Sequence, residues 1–294
     1  MSENRAFGRG GVGAVMGSKK LKAIVVLGEE REIKIADPQV TDNIIREFYR
    51  NCHKTPLTSE THPKYGTTFL ACMHGCSSWI PSPFFNADVL HTTHGRPLAF
   101  ATGIKLSRPE LNVVVVTGDG DGAAIGANHL IQAARRNIDI LTILVNNRIY
   151  GMTGGQVAPT TPYGMKTSTT PYGNMEYPFD LCKLVEAAGA SYVARWTTFH
   201  TKQLIASIKK RLLKKGFSFI EVVSQCPVQY GRYVGVTEPA KLLLMFKDLS
   251  VSIDKSKSMS EEELKERIII GEFTDRERAG LIEAYEKLFS EVKA

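Results

Sequence analysis

The sequence predicts an α/β fold organised around an open, mostly parallel sheet. Two apolar runs support this, Val113 to Val116 and Ile140 to Val145, and both are rich in the β-branched residues typical of strands buried on two faces. A helical pattern lies between them and ends in Arg135 and Arg136, where positive charge favours a helix terminus. This strand–helix–strand unit is the building block of a parallel sheet.

Further elements follow the same alternation toward the C-terminus. Hydrophobic periodicity predicts the helices and strands, and the tail from Ser256 onward is charged and predicted to be helical, most clearly over Thr274 to Glu291. The predicted helices are Leu98 to Leu106, Phe179 to Ala188 and Thr201 to Leu213, and the predicted strands are Tyr192 to Ala194 and Phe217 to Val223.

Polar side chains follow both strands of the central unit, where open parallel sheets bind ligands. Gly118-Asp119-Gly120-Asp121 follows the first strand, and Asn147 follows the second. Glycines let a backbone approach a phosphate closely, while carboxylate and amide oxygens suit Mg²⁺. The helix that begins near Gly122 would direct its N-terminal N–H groups toward the same anion. The pattern therefore predicts a diphosphate held through a magnesium ion.

The composition excludes several classes of protein. The chain has 294 residues, 43% of them hydrophobic and 23% charged, which is typical of a globular protein. Its net charge of +7 is spread without an aromatic-interleaved basic stripe, which favours acidic partners or a solvated surface over nucleic acid. No apolar run reaches membrane-spanning length and no signal sequence is evident, so we expect a cytoplasmic protein without a membrane partner.

The motif of Gly-Asp-Gly followed by Asn-Asn on the next strand resembles that of thiamine diphosphate enzymes. With the stretch from His91 to Leu106, it is similar to β subunits of 2-oxoacid:ferredoxin oxidoreductases, closest to the 2-oxoglutarate type, from about Gly75 to Tyr233 and more weakly beyond. The resemblance implies a thiamine diphosphate-binding fold with helices on both faces of the sheet. It also implies an α-subunit partner, a 2-oxoacid and CoA as substrates, and ferredoxin as electron acceptor.

The same resemblance implies roles for individual residues. Asp119, Asn147 and the carbonyl of Ile149 would hold Mg²⁺, while His94 and Arg96 would lie beside the cofactor and the incoming 2-oxoacid as catalytic residues. The acid that tunes the aminopyrimidine ring would come from the partner subunit. Further cofactor contacts are implied at Cys76, Gly95, Gly118, Gly120, Asp121, Gly151, Thr153, Gly154 and Gln156.

The cysteines of the chain are compatible with two different functions. The family's β subunits hold a 4Fe–4S cluster with four cysteines, a CxxC pair among them. Here Cys76 and Cys226 match two of the four, and the sequence contains no CxxC pair. Since a cubane cluster needs four thiolates, the alternative to an active oxidoreductase subunit is a non-catalytic or defective chimeric subunit. Such a subunit would fold and bind its partner without passing electrons.

The N-terminal part resembles a different family. The sequences GRGGVGAVMGSKKLKAI at residues 8–24 and LTSETHPKYGTTFLA at residues 57–71 are similar to two segments of aldehyde ferredoxin oxidoreductases, the tungstopterin enzymes, so the resemblance covers about residues 5 to 71. The cysteine ligands of that family's cluster have no counterpart here. An independent tungsten enzyme is therefore not expected. We predict a small N-terminal appendage over residues 1–72, a thiamine diphosphate-binding core over 73–235 and a C-terminal helical arm over 236–294.

Two features near the core leave alternatives open. Related chains often place a basic residue after the Gly-Cys-Ser-Ser motif, where this chain has Trp79, so 2-oxoglutarate and a generic 2-oxoacid both remain candidates. The run from Pro159 to Asn174 is rich in Thr, Pro, Tyr and Gly, which is too polar for a core. It is predicted to be either a substrate lid or an α-subunit contact.

Overall fold

The computed structural model describes residues 61–62, 66–73, 76–81, 87–212 and 214–293. The glycine-rich N-terminal segment and most of the predicted appendage lie outside the described residues. Within them the chain forms one mixed sheet. Its strands are β1 (Thr61–His62), β2 (Gly66–Met73), β3 (Asp88–Thr92), β4 (Asn112–Gly118), β5 (Ile140–Asn146), β6 (Tyr192–Thr197), β7 (Ser218–Val223), β8 (Ser250–Ser252) and β9 (Ile268–Asp275).

The sheet is parallel through its centre and antiparallel near its margins. The strand order is β1-β2-β4-β5-β7-β6-β9-β8, and β3 also pairs with β2. Strands β3, β2, β4, β5, β7 and β6 run parallel, whereas β1 is antiparallel to β2 and β9 to β6. The predicted mostly parallel sheet is confirmed, and the carboxyl ends of its central strands meet at one edge.

The helices are distributed along the whole described chain. Pro97 opens the first of them, where its missing N–H costs no hydrogen bond. They are α1 (Pro97–Ser107), α2 (Ala127–Arg136), α3 (Leu181–Ala187), α4 (Thr201–Arg211), α5 (Tyr230–Tyr233), α6 (Pro239–Leu249), α7 (Ile253–Ser256), α8 (Glu261–Leu264) and α9 (Leu281–Lys293), with a 3₁₀ turn at Cys76–Trp79.

Helices cover both faces of the sheet because side chains alternate along each strand. Val113 and Val115 of β4 join the larger core cluster beneath α1, α2 and α3. Val114 and Val116 point to the other face, into a cluster with Leu204 and Ile208 of α4. Every central strand is therefore covered on both sides, which accounts for its continuous apolar sequence.

Two predictions about secondary structure are corrected. The predicted helical arm over 236–294 contains strands β8 and β9, and Thr274 belongs to β9 rather than to the start of a helix. The β-branched run Ile268–Ile270 pairs with β8, and the following residues up to Asp275 pair with the edge of β6. The helix predicted from Gly122 instead opens with a π-helical turn at Asp121–Ile125, where the Gly126 N–H donates to the Asp121 carbonyl at 2.9 Å.

Candidate cofactor site

A cavity of about 790 Å³ opens at the carboxyl edge of the sheet. The segments that follow β3, β4 and β5 supply most of its wall, together with the 3₁₀ turn after β2. Its lining residues are Cys76, Ser77, His94, Gly118, Asp119, Gly120, Asp121, Val145, Asn147, Ile149, Tyr150, Gly151, Met152, Thr153, Gln156, Val157 and Thr169. The cavity therefore lies where parallel sheets place their ligands.

Asp119 is a buried carboxylate that forms no ion pair with a cationic side chain in the described part of the chain. It is 3% exposed, and its Oδ2 accepts a hydrogen bond of 2.5 Å from Thr160 Oγ1. Burial raises the pKa of Asp119 to about 6, although the hydrogen bonds from Thr160 and from backbone N–H groups lower it. A cation in the cavity would offset the cost of burying this charge.

Asp121 is also buried, but the protein satisfies both of its oxygens. Its Oδ1 accepts the Gly95 N–H and lies 3.3 Å from His94 Nδ1, and its Oδ2 accepts the Thr117 hydroxyl. Burial raises the pKa of Asp121, against the lowering effects of these partners. Gly95 has φ +77°, and a Cβ there would lie 2.3 Å from Ile125 Cγ2. Asp121 therefore ties the loop after β3 to the turn after β4.

A tight turn follows β5 and brings Asn147 and Ile149 to the cavity. Arg148, between them, has φ +62°, a left-handed conformation that is uncommon for a residue with a side chain. The Ile149 N–H donates to Asn147 Oδ1 at 3.2 Å, and the Arg148 N–H donates to Asn146 Oδ1 at 3.0 Å. The Thr161 hydroxyl donates to the Arg148 carbonyl at 2.7 Å. Hydrogen bonds thus fix the strained turn on both sides.

Tyr150 connects this turn to the turn after β4. Its hydroxyl donates to the Gly120 carbonyl at 2.7 Å, and burial, with the charges of Asp119 and Asp121, raises the pKa of Tyr150. A Cβ on Gly120 would lie 2.3 Å from the Tyr150 ring. Only glycine therefore allows the two turns to approach this closely.

The polar atoms of the cavity fit a diphosphate and a magnesium ion. No group of three or more His, Cys, Asp or Glu side chains positioned for a metal occurs among the described residues. An ion here would instead take Asp119, the Asn147 amide oxygen, the Ile149 carbonyl and phosphate oxygens, the mixed oxygen set that Mg²⁺ prefers. Ser77 Oγ is buried beside Gly118 without a hydrogen-bond partner in the described structure, so a ligand could satisfy it.

Comparisons with known proteins agree with this geometry. Residues 66–222 match the family model of the thiamine pyrophosphate enzyme C-terminal TPP binding domain. The chain is 58% identical to the 2-oxoglutarate synthase subunit KorB of Methanocaldococcus jannaschii, over 75% of this chain and 81% of that protein. It is 58% identical to the subunit of the same name from Methanothermobacter marburgensis, over 70% and 72% of the two chains. The chain belongs to the KorB family of thiamine pyrophosphate enzymes.

A solved structure and a second family model extend these findings. The 2-oxoglutarate:ferredoxin oxidoreductase from Magnetococcus marinus, with 2-oxoglutarate, coenzyme A and succinyl-CoA bound, aligns with a TM-score of 0.67 and 31% identity. The alignment covers 77% of this chain and 78% of that one. Residues 1–28 match the N-terminal domain of aldehyde ferredoxin oxidoreductase. The resemblance to 2-oxoacid:ferredoxin oxidoreductase β subunits and the thiamine diphosphate-binding fold are therefore confirmed. The resemblance to aldehyde ferredoxin oxidoreductases is confirmed over residues 1–28.

The structure brings most of the predicted site residues of this KorB-family chain to one cavity. Gly95, Arg96, Gly154 and Cys226 do not line it. Gly95 still contacts the site through its bond to Asp121, whereas the exposed Arg96 places Nη1 2.6 Å from His129 Nε2. The predicted residues that line the cavity are Cys76, His94, Gly118, Asp119, Gly120, Asp121, Asn147, Ile149, Gly151, Thr153 and Gln156.

Cys76 and Cys226 come together at Gly151. A Cβ on Gly151 would lie 3.5 Å from the sulfur of Cys76 and 3.4 Å from that of Cys226. Partial burial raises the pKa of Cys76, and the neighbouring Cys226 raises it further. Cys182 is buried in the core, where its thiol donates to Glu221 at 3.4 Å. A cubane cluster needs four thiolates, and the described thiols that meet at Gly151 number two, so they do not fit a complete cluster.

Sequence reasoning missed several residues that shape the cavity. Ser77 directly follows the predicted ligand Cys76, which is a signal that was available. Thr160 is 41 positions from the carboxylate that it contacts, and Thr169 reaches the cavity wall from the same loop. No local pattern identifies the partners of these two threonines. Met152 and Val157 add apolar wall on the same side.

The described helices are also informative about membranes. None of those helices has both the length and the apolar character that a bilayer crossing requires.

Proposed function

We propose that the chain is the β subunit of a 2-oxoacid:ferredoxin oxidoreductase that uses thiamine diphosphate and Mg²⁺. In the proposed reaction 2-oxoglutarate loses CO₂, CoA takes the succinyl group, and the electrons pass one at a time to ferredoxin. When bound, thiamine diphosphate supplies the nucleophilic carbon and the electron sink for decarboxylation. An α-subunit partner, CoA and ferredoxin are part of this proposal.

The observation that carries the proposal is the buried Asp119 carboxylate, which has no cationic partner among the described residues and lines the same cavity as Asn147. We propose that these two side chains and the Ile149 carbonyl hold Mg²⁺. Gly118 and Gly120 line the same wall, where backbone without side chains lets a phosphate approach closely. The unpaired Ser77 hydroxyl is a further donor on the same wall.

His94 is the described side chain best placed to act on a substrate in this cavity. It lines the wall, is 41% exposed, and lies 3.3 Å from Asp121 through Nδ1. That contact leaves Nε2 for a ligand and fixes the ring orientation. Arg96 lies two residues further on and would have to leave His129 to pair with a substrate carboxylate in a bidentate manner.

Cofactor binding and turnover test the proposal in sequence. The chain, purified without oxygen together with its partner subunit, is titrated with thiamine diphosphate in the presence and absence of Mg²⁺ by calorimetry. Reduction of ferredoxin is then followed with 2-oxoglutarate and CoA, and with pyruvate in place of 2-oxoglutarate. We expect binding that requires Mg²⁺ and reduction that requires CoA. A complex that binds no thiamine diphosphate contradicts the proposal.

The second candidate function is a cofactor-binding subunit that does not pass electrons. It is favoured by the two thiols at Gly151, where a cubane cluster needs four. Iron, sulfide, thiamine diphosphate and magnesium are assayed in one sample. About four irons per chain with thiamine diphosphate support the oxidoreductase, because the remaining ligands must then come from Cys52, Cys72 or the partner. Thiamine diphosphate without iron supports the second candidate.

A further inference from the structure

Glu221 is a buried carboxylate beside the cavity that the proposed site does not use. It lies on β7, is 2% exposed, and is not among the cavity-lining residues. Its Oε2 accepts the Arg195 Nε–H at 2.7 Å, and Arg195 also donates to Asp180 at 2.6 Å. Its Oε1 accepts from Asn146 Nδ2 at 2.7 Å. One oxygen of Glu221 therefore forms an ion pair with Arg195, and the other accepts a hydrogen bond from Asn146, the residue before Asn147.

The contact with Glu221 sets the orientation of the Asn146 amide. A carboxylate only accepts hydrogen bonds, so the amide must turn its NH₂ group toward Glu221. The amide oxygen then faces the opposite way, where it accepts the Arg148 N–H at 3.0 Å. If the amide were reversed, its NH₂ group would face that N–H, and neither donor would have an acceptor.

The orientation of Asn146 matters because Arg148 is strained. A left-handed conformation costs about 1–2 kcal/mol for a residue with a side chain, and Arg148 has φ +62°. Contacts around the turn offset this cost. The Arg148 N–H donates to Asn146, its carbonyl accepts from Thr161, and its guanidinium donates to the Tyr230 hydroxyl at 3.2 Å. The left-handed residue reverses the chain so that Asn147 and Ile149 both line the cavity.

We propose that Glu221 is a positioning residue for the metal site, acting through Asn146 and the backbone of Arg148 to direct Asn147 and Ile149 at the cation. This inference rests on the proposed function, in which those two residues bind Mg²⁺. Groups that orient metal ligands from behind change metal affinity by about 10–100-fold when they are removed. Glu221 does not contact Asn147 or Ile149 itself; it contacts Asn146, which in turn binds the backbone N–H of Arg148 between them.

The variant Glu221→Gln tests the proposal with little change in shape. The glutamine oxygen is required by Arg195, so its NH₂ group meets the NH₂ group of Asn146, and the amide of Asn146 reverses. In the complex with the partner subunit, we expect Mg²⁺ to support thiamine diphosphate binding about 10–100-fold less well by calorimetry. We also expect the apparent constant for Mg²⁺ to rise while kcat at saturating Mg²⁺ stays near the wild-type value.

Two further variants separate positioning from simple stability. The double variant N146D/E221Q restores the pattern, because an aspartate at 146 accepts from both the glutamine and the Arg148 N–H, and it should recover most of the affinity. Asp180→Asn weakens the other ion pair of Arg195 without touching Asn146. We expect D180N to lower the melting temperature and leave Mg²⁺ affinity unchanged. If E221Q does not fold, Asn146→Ala, which keeps the Glu221–Arg195 pair, should lower the affinity to the same extent.

The outcomes distinguish a failure of the proposed function from a failure of the positioning role of Glu221. A wild-type complex that binds neither Mg²⁺ nor thiamine diphosphate contradicts the proposed function, and the role of Glu221 falls with it. A wild-type complex that binds both, with an E221Q complex of equal affinity, overturns the positioning role alone. Equal losses in E221Q and N146D/E221Q would also overturn it, because they would show that the direction of the amide is irrelevant.

Discussion

The two edges of the sheet differ in how their carboxylates are compensated. At the carboxyl edge, Asp119 and Asp121 are buried without a lysine or arginine partner in the described residues, and burial raises the pKa of each. At the amino edge, Asp275 lies beside Lys210 at 2.6 Å and Lys214 at 3.4 Å. The carboxyl edge thus keeps, at Asp119, a carboxylate without a cationic side chain among the described residues, whereas the amino edge pairs its carboxylates with lysines.

This contrast indicates where a ligand belongs. An unpaired buried carboxylate costs stability unless something outside the chain compensates it. The amino edge has no such need, since its carboxylates already have cationic partners. The carboxyl edge also carries the 790 Å³ cavity. Charge and shape therefore place the cation site on the same side, and the predictions below test whether that edge is built for a cation.

Asp119→Ala should have the largest effect, and we expect it to weaken cofactor binding more than folding. Loss of a direct ligand should weaken Mg²⁺-dependent binding of thiamine diphosphate by more than about 100-fold. Removing a group that only orients a metal ligand already weakens metal binding by about 10–100-fold. The unfolding free energy without cofactor should change by less than about 1 kcal/mol, because the variant also removes an uncompensated charge. Calorimetry and urea unfolding measure the two effects. Unchanged binding would place the cation elsewhere.

Asp121→Ala should affect folding more than Asp119→Ala does. Its removal leaves the Gly95 N–H and the Thr117 hydroxyl buried without their acceptor. We expect a loss of about 2 kcal/mol in unfolding free energy at pH 7, measured in urea. If D121A and D119A unfold at the same urea concentration, the distinction between a structural and a ligand-binding carboxylate is wrong.

Thr160→Val should show a smaller effect at the same edge. The variant keeps the shape of the side chain and removes the hydrogen bond of 2.5 Å to Asp119. We expect a loss of about 1 kcal/mol in unfolding free energy. The matched control is Thr142→Val on β5, because the Thr142 hydroxyl is buried without a hydrogen-bond partner in the described structure. T142V should therefore be neutral or stabilising, and equal losses in both variants would remove any special role for Thr160.

The sequence predicted the carboxyl edge better than the amino edge for physical reasons. Strands β4 and β5 are buried on both faces and therefore have continuous apolar sequences. The turns after them carry the Gly-Asp-Gly and Asn-Asn motifs, which can be identified from the sequence. The prediction missed β9 because the charged tail around it indicated a helix, and the pairing of its second half with the edge of β6 cannot be read from local sequence. Thr160 and Glu221 were missed for a similar reason. Glu221 is 75 positions from Asn146, and only the alignment of β5 with β7 brings them together.

Lys210→Met tests the amino edge and should have the smallest effect. Partial burial would raise the pKa of Asp275, but the hydrogen bond and charge of Lys210, with help from Lys214, hold it below its ordinary value of 3.8. A lowered carboxyl pKa gives stability that is present above pH 3.8 and is lost as the pH falls through the folded-state pKa. The pair is partly exposed, so we expect K210M to cost less than about 1 kcal/mol at pH 7.

The pH dependence of this difference distinguishes an ion pair from packing. Burial alone would lower the pKa of Lys210, but Asp275 and Glu272 raise it, so its contribution persists to the lysine's ordinary value of 10.5 and fades above it. Urea unfolding of wild type and K210M should therefore differ at pH 7 and converge as the solution is acidified below 3.8. A difference that persists in acid would arise from the contact of Lys210 with Tyr192, whose ring centre is 5.4 Å from Nζ. In that case Lys210 would stabilise the amino edge through the Tyr192 ring and not through Asp275, and the contrast between the two edges would rest on the carboxyl edge alone.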